Sequence, residues 1–203
     1  MGEDLESALR LAPGPARTAA LAAWFQGLFD AGERNQIPVL VGGGAVELYS
    51  GGAYTTGDLD FVGPLPRRVE RELVRSGFER AGRHWVHDEG RVFIEVPAAA
   101  LDQGEQVVRV DFGPHSVLTI SPEDALLDRL AAWKHWESGA DGVAAFLLYR
   151  ATRDGLDEER LRRVAEKRGL AGALDRLVSF DRRTEGREPT PKEMETWASE
   201  TVR

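Results

Sequence analysis

Hydrophobic residues recur at helical spacing near the start of the chain and predict one long amphipathic helix there. Leu21, Trp24, Phe25 and Leu28 lie three or four residues apart, and Gly32 follows as a stop signal. We therefore expect a helix over residues 18–31. Residues 1–34 as a whole are expected to form N-terminal helices that pack on the core.

The next 85 or so residues contain short apolar or alternating stretches, which predict strands. These are IPVLV (37–41), DLDFV (58–62), HWVH (84–87), RVFIEV (91–96), QVVRVDF (106–112) and SVLTI (116–120). The Asp-Glu-Gly turn at 88–90 predicts a hairpin before RVFIEV. Between these strands, AVELYS and PRRVERELVRSG predict short helices, the second with Val69, Leu73 and Val74 facing inward.

The pattern changes at Ser121, where an N-cap serine is followed by proline and two acids. From there the chain is predicted to be helical to its end, with helices at 122–136, 141–152, 157–168, 170–181 and 190–201. The whole pattern predicts an α+β protein. Its mixed β-sheet core, at 35–120, is flanked by helices and followed by a helical C-terminal region at 121–203.

Composition fits a globular protein, with 42% hydrophobic and 30% charged residues. The net charge of −8 argues against a general nucleic-acid coat protein, which would be basic. The absence of cysteine excludes disulfides and thiol nucleophiles, and it fits a cytoplasmic location. No stretch reaches transmembrane length, so we expect no membrane partner.

The segment LVGGGAVELYSGGAYTTGDLDFVG, residues 40–63, combines two chemical signals. A glycine run after a buried strand lets backbone N–H groups approach an anion at a helix N-terminus. Asp58 and Asp60 are two apart on a predicted strand, so their carboxylates share a face and can converge on a hard cation. The segment lacks the Gly-Lys-Ser/Thr of a Walker A loop, and Glu47 breaks the dinucleotide-binding glycine pattern.

This order of strand, glycine pair, short helix and Asp-x-Asp strand resembles the active-site signature of the DNA polymerase beta-like nucleotidyltransferase superfamily. It looks most like the small bacterial branch that includes abortive-infection toxin nucleotidyltransferases. The matching residues are Gly42, Gly43, Ala45, Thr56, Asp58 and Asp60. A register using Gly43 and Gly44 gives slightly better spacing, and the sequence leaves both registers open. One departure is Tyr54, where members of this branch often carry arginine.

The resemblance implies a nucleotidyltransferase-like core and a metal-dependent enzyme that moves an NMP from an NTP to a hydroxyl. Mg²⁺ or Mn²⁺ would be bound by Asp58, Asp60 and a third carboxylate. The three glycines and Thr56 would bind the nucleotide. The acceptor would be an RNA such as tRNA, a protein or a small molecule, and a toxin-type enzyme would have an antitoxin as partner. Two alternatives stay open, a non-catalytic nucleotide-binding module of the same fold and a metal-assisted hydrolase.

Two residues are candidates for the third carboxylate. Glu95 lies in RVFIEVP and Asp111 in QVVRVDF, each alternating with apolar residues. Glu95 is preferred, because a hydrophobic-Glu-hydrophobic-Pro strand soon after the first hairpin resembles this branch. Asp111 stays open as the alternative.

The first C-terminal helix also resembles the toxin-like branch, where a helix after the core often contains Lys-Leu-x-Ala. Here Arg129 replaces that lysine, and Lys134 and Asp141 follow. The resemblance implies that Arg129 and Lys134 bind the nucleotide. The alternative is a surface helix whose charged residues are solvated.

Overall fold

The computed structural model describes residues 4–29 and 37–200, and these residues form an α+β protein, as the hydrophobic pattern predicts. Their contacts divide them into two compact units, one ending at Ser121 and one beginning at Pro122. Within the described residues, no helix is both long and apolar enough to cross a bilayer.

The first unit is built on a sheet that has seven strands among the described residues. The strands are β1 (Val39–Val41), β2 (Asp58–Val62), β3 (Glu79–Ala81), β4 (His84–His87), β5 (Val92–Ala98), β6 (Val107–Phe112) and β7 (His115–Ile120). Their order across the sheet is β3-β4-β5-β2-β1-β7-β6. The sheet is mixed: β1 pairs with β7 and β2 with β5 in parallel, whereas the other neighbours are antiparallel.

Four helices belong to the first unit in the described part of the chain. They are α1 (Leu5–Arg10), α2 (Pro15–Gly27), α3 (Gly42–Tyr49) and α4 (Arg67–Arg75). The predicted helix over 18–31 corresponds to α2, which begins three residues earlier, at Pro15, where proline suits the first helical turn. The last residues of that prediction, 30–31, lie outside the described residues.

Helix α2 and strands β2 and β5 supply much of the core of the first unit. Phe25 on α2 contacts Phe61 on β2, with ring centroids 4.5 Å apart. Gln26, also on α2, is buried and donates to the carbonyls of Pro38 (2.8 Å) and Leu118 (2.7 Å). This side chain therefore satisfies a backbone group of β7 and one of the residue before β1, and it fixes α2 against the sheet.

Helix α4 differs from its prediction at one position. Val69 and Leu73 are buried, four residues apart on one face, but Val74 is 60% exposed. Position 74 is rotated about 100° from Leu73, which takes it off the buried face. The short edge strand β3 was not predicted, because its three residues are all exposed and carry no apolar pattern.

The second unit is helical, as predicted. Its helices are α5 (Pro122–Trp136), α6 (Gly139–Thr152), α7 (Glu158–Lys167), α8 (Ala171–Arg183) and α9 (Pro191–Ser199). Aromatic rings form its centre, where Phe180 stacks on Trp197 at 4.4 Å and Phe146 meets both. Arg160 and Asp124 form a buried ion pair, in which Nη2 of the arginine donates to both carboxylate oxygens, at 2.7 and 2.8 Å.

Candidate functional site

The two aspartates of the Asp-x-Asp motif lie on β2 and on the face opposite its core residues. Leu59 and Phe61 are buried, whereas Asp58 is exposed and Asp60 is half-buried. Successive residues of a strand point to opposite faces, so the two carboxylates share one face. The structure thus gives both acids the placement that the alternation predicts.

The three glycines form the first turn of α3 rather than a loop before it. Helix α3 begins at Gly42, whose φ of +61° is a left-handed conformation that favours glycine. The preceding residue, Val41, offers no side-chain cap, and no acid lies in the first turn among the described residues. The backbone N–H groups of this turn therefore have neither a capping oxygen nor a neighbouring acid from the helix itself.

Each glycine has a different neighbour. A Cβ at Gly42 would collide with Asp60 Oδ2, and one at Gly43 would lie 3.0 Å from Thr56 Oγ1. At Gly44 a Cβ would instead meet the core side chains of Leu40 and Leu59. Gly42 and Gly43 thus bring backbone close to the motif residues, whereas the absence of a side chain at Gly44 serves packing.

Thr56 shapes the approach to the Asp pair. Its hydroxyl oxygen accepts a hydrogen bond from the backbone N–H of Asp58, at 3.2 Å. A side chain that bonds to the amide two residues on closes a tight local turn. The turn sets the start of β2, and it keeps Thr56 between Gly43 and Asp58.

Glu95 lies beside the Asp pair in the sheet. Strands β2 and β5 are parallel neighbours, with Asp60 opposite Glu95. Glu95 is 8% exposed, and its carboxylate contacts Arg83 Nε at 3.2 Å and His84 Nδ1 at 3.5 Å. Glu95 is therefore the register partner of Asp60, but its carboxylate already contacts Arg83 and His84.

The predicted metal site needs three carboxylates in one place. Across residues 4–29 and 37–200, no three acidic or histidine side chains are grouped so as to hold a metal ion. Glu95 instead contacts Arg83 and His84, and the three-carboxylate metal site stays a prediction. Asp58 and Asp60 alone still supply the oxygen ligands that Mg²⁺ prefers, and this ion commonly takes only one or two carboxylates.

Asp111, the alternative third acid, is far from the pair. It lies on β6 at the edge of the sheet, and β1 and β7 separate that strand from β2. Three strand spacings of about 4.8 Å put it roughly 14 Å away across the sheet. Of the two candidates, only Glu95 lies on a strand next to the aspartates.

Arg129 and Lys134, predicted to bind the nucleotide, both lie on α5 in the second unit. Arg129 forms an ion pair with Asp141, at 2.6 Å, and Lys134 donates to the carbonyl of Gly169, also at 2.6 Å. Each basic group thus has a partner within its own unit. Their binding to a nucleotide stays a prediction.

Glu47 is a buried acid that sequence reasoning did not assign to the site. It is fully buried on α3, and its Oε2 accepts a hydrogen bond from Thr18 on α2, at 2.6 Å. Oε1 has no hydrogen-bond partner among the described residues. Burial raises the pKa of Glu47 above its ordinary value of 4.5, whereas the Thr18 hydroxyl and the nearby amide of Thr56 lower it. The sequence signal that could have identified Glu47 as buried is its position among apolar residues in AVELY.

Two arginines near Asp58 were also not identified. Arg17, on α2, and Arg91, the residue before β5, line a cleft with Asp58 and Thr56. They are far apart in the sequence, and neither belongs to a recognisable motif. Only the packing of the β4–β5 turn against α2 brings them together.

The comparisons with known proteins give a limited result. No protein-family model matches the chain, and no curated protein matches it. Among solved structures, the chain is similar to the crystal structure of an antigenic nucleotidyltransferase-like protein from Paracoccidioides brasiliensis. The two are 17% identical, the match covers 81% of this chain and 95% of that one, and the TM-score is 0.47.

Proposed function

We propose that the protein is a metal-dependent nucleotidyltransferase that moves an NMP from an NTP to a hydroxyl acceptor and releases pyrophosphate. The observation that carries this proposal is the contact between the Asp60 carboxylate and Gly42, the first residue of an uncapped helix. It puts one acid of the Asp pair directly beside backbone N–H groups suited to phosphate. Transfer of a phosphoryl group requires ligands for a cation and hydrogen-bond donors for the phosphate oxygens at the same place.

Asp58 and Asp60 are proposed to hold the divalent cation, Mg²⁺ or Mn²⁺. When bound, the cation would neutralise charge on the phosphates and lower the pKa of the acceptor hydroxyl. The aspartates supply oxygen ligands from a rigid strand. Substrate phosphates and water would complete the shell, as they commonly do for Mg²⁺.

The first turn of α3 is proposed to position the β- and γ-phosphates of the donor. Its N–H groups and the positive end of the helix dipole both favour an anion there. Glycine at 42 and 43 matters because any side chain would fill the space next to Asp60 and Thr56. We expect the N–H groups, rather than side chains, to align the donor for attack.

Glu95 is proposed as the third acid, provided that it leaves its basic partners. In the structure, the largely exposed side chain of Arg83 balances the negative charge of Glu95. The other oxygen of this carboxylate faces His84. The carboxylate would have to separate from Arg83 before it could hold a cation. Glu95 would then help to hold the cation or accept the proton of the acceptor hydroxyl.

A second candidate function is a non-catalytic nucleotide-binding module of the same fold. Two observations favour it. The carboxylate of Glu95 contacts Arg83, and the hydroxyl of Tyr54, at the position where members of the branch that the motif resembles often carry arginine, lies 3.4 Å from where a Cβ of Gly43 would be. Such a module would bind an NTP at the glycine turn without transferring any part of it.

The experiment that tests the proposal is transfer of α-³²P-labelled NTPs to acceptors in total cell extract, with Mg²⁺, with Mn²⁺ and with EDTA. We expect incorporation that requires metal and is lost in Asp58→Ala and Asp60→Ala. Asp111→Ala is the matched control, since it removes a strand acid from the far edge of the same sheet. Metal-dependent NTP binding without transfer to any acceptor would favour the binding module, and no NTP binding would exclude both.

The same experiment identifies the acceptor class. Label that is sensitive to ribonuclease indicates RNA such as tRNA, label sensitive to protease indicates a protein, and label in the small-molecule fraction indicates a metabolite. A toxin-type enzyme would also slow growth when expressed, and co-expression of an antitoxin would relieve the effect. Asp60→Ala should abolish this toxicity if it depends on transfer.

A further inference from the structure

A small cleft beside Asp58 combines two arginines that have no acidic partner among the described residues. Its volume is about 130 Å³, and its lining includes Gly14, Arg17, Thr18, Thr56, Asp58 and Arg91. Pockets for drug-sized ligands are commonly about 300–1,000 Å³, so this one has room for a small group rather than for a nucleoside.

Arg17 is held in place at the cleft but is not neutralised there. One of its terminal nitrogens donates to the carbonyl of Gly90. Its Nε is buried, and among the described residues it has no hydrogen-bond partner. Arg17 also belongs to the first turn of α2, whose N-terminal Gly14 lines the same cleft and whose first turn contains no acid. Its charge therefore remains available to an anion.

Arg91 reaches the cleft from an unusual backbone conformation. Its φ is +48°, a left-handed value at which glycine or asparagine would be favoured. Within the described part of the chain, its exposed guanidinium forms no ion pair or hydrogen bond. Strained backbone conformations cluster at functional sites, where the surrounding structure holds them.

The bond between Arg17 and Gly90 links the two arginines, because Gly90 is the residue before Arg91. The β4–β5 turn is thereby fixed against α2, with two positive charges facing one negative charge, that of Asp58. Guanidinium groups match the oxygens of phosphate in a fork geometry. Asp58 lines the same cleft, and the proposed function requires phosphates beside this aspartate.

We propose that Arg17 and Arg91 form a phosphate subsite next to Asp58. The inference depends on the proposed function only for the source of the phosphate, which is either the triphosphate of the donor or the backbone of an RNA acceptor.

The test is isothermal titration of four probes into wild-type protein and variants, with Mg²⁺ present. The probes are ATP, tripolyphosphate, adenosine and a 5′-hydroxyl oligoribonucleotide. Arg91→Gly is the main variant, because it removes the charge and relieves the left-handed backbone, so its melting temperature should equal or exceed that of the wild type. Arg17→Gln is the second variant. Arg109→Gln, which removes an exposed arginine on β6, is the control.

We expect Arg91→Gly and Arg17→Gln to weaken binding at least tenfold for one class of phosphate probe and to leave adenosine unaffected. Loss of ATP and tripolyphosphate binding assigns the donor, and loss of oligonucleotide binding assigns the acceptor. Unchanged binding of all three phosphate probes in Arg91→Gly, or equal losses in Arg109→Gln, would overturn the subsite.

The transfer assay separates this result from the proposed function. A protein that binds tripolyphosphate through Arg91 but transfers no NMP retains the subsite and loses the enzyme proposal. A protein whose transfer survives in Arg91→Gly with an unchanged KM for NTP and acceptor retains the enzyme proposal and loses the subsite.

Discussion

The carboxylate of Asp60 lies against the α-carbon of Gly42, so closely that no side chain fits between them. Asp60 is paired with Val41 in the sheet, and the chain turns into α3 at the next residue. Glycine at 42 is therefore required twice, once by its left-handed backbone and once by the acid beside it. The two requirements can be separated experimentally.

Gly42→Ala is expected to destabilise the protein and to abolish NMP transfer. The left-handed backbone alone costs a residue with a Cβ about 1–2 kcal/mol. The added methyl would also displace Asp60 from the helix N-terminus, so transfer should fall by at least about 100-fold, as for the loss of a preorganised catalytic group. Urea unfolding and the labelled-NTP assay measure the two effects.

Gly51→Ala is the matched control for this change. Gly51 has nearly the same φ, +60°, but no atom of residues 4–29 and 37–200 lies within 4 Å of the position of its Cβ. It should show the backbone cost alone and keep its transfer activity. Equal activity losses in both variants would mean that the Asp60–Gly42 contact has no special role.

Glu95→Gln is expected to reduce metal-dependent transfer by at least about tenfold, the lower range for losses of groups that support a metal site. The amide keeps the shape of the side chain, so the fold should be retained, but it removes the charge that a cation or a proton would need. Initial rates at several Mg²⁺ concentrations measure the effect. Asp111→Asn is the control, and a larger loss in that variant would reverse the assignment of the third acid.

Arg83→Gln is expected to have the opposite effect on the metal requirement. It removes the cation that now neutralises Glu95, so Mg²⁺ would face less competition for the carboxylate. The Mg²⁺ concentration that gives half-maximal transfer should decrease by a few-fold, which corresponds to about 1 kcal/mol for a largely exposed partner. An increase would indicate that Arg83 supports the active arrangement of Glu95.

The sequence predicts the local parts of this site well, because their signals are local. Asp58 and Asp60 share a face through strand periodicity, and the glycines precede a helix, as the pattern requires. The choice between Glu95 and Asp111 depends instead on which strand pairs with β2. That pairing is non-local, and both strands show the same alternation of apolar and charged residues.

Contacts between distant segments explain what the sequence could not show. Arg83 and His84 precede Glu95 by about a dozen residues, and only the antiparallel pairing of β4 with β5 places them against its carboxylate. Arg17 meets the β4–β5 turn across 73 residues. The charged side chains around the Asp pair thus come from elements whose hydrophobic patterns predict packing but not contact with these acids.

The buried carboxyl of Glu47 predicts a pH dependence of stability. Burial raises its pKa in the folded protein above the ordinary value of 4.5, so the folded state holds the proton more tightly than the unfolded state. The resulting stability is fully present below pH 4.5 and is lost as the pH rises through the folded-state pKa. Glu47→Gln, which is always neutral, should therefore gain stability relative to the wild type over that range.

Urea unfolding of both proteins between pH 4.5 and 8 measures this difference, whose slope for one proton is at most about 1.4 kcal/mol per pH unit. Thr18→Val should enlarge the difference, since it removes the hydroxyl that donates to Glu47 Oε2. Parallel pH profiles for the wild type and Glu47→Gln would contradict the prediction, because they would mean that folding does not change the pKa of Glu47.

In the helical unit, Gly142 on α6 is expected to be intolerant of any side chain, although its backbone is ordinary. A Cβ there would lie 2.8–2.9 Å from the ring of Trp133, which is buried and donates to the carbonyl of Ala198. The ring cannot move away without disturbing α9, so Gly142→Ala should cost about 1–3 kcal/mol through overpacking.

Gly139 is the matched control. It begins the same helix, and the nearest atom of the described residues would lie 3.8 Å from its Cβ. Gly139→Ala should therefore be neutral or stabilising by up to about 1 kcal/mol, as helix propensity alone dictates. Urea unfolding followed by tryptophan fluorescence compares the two, and equal stabilities would mean that the Trp133 ring does not rest on Gly142.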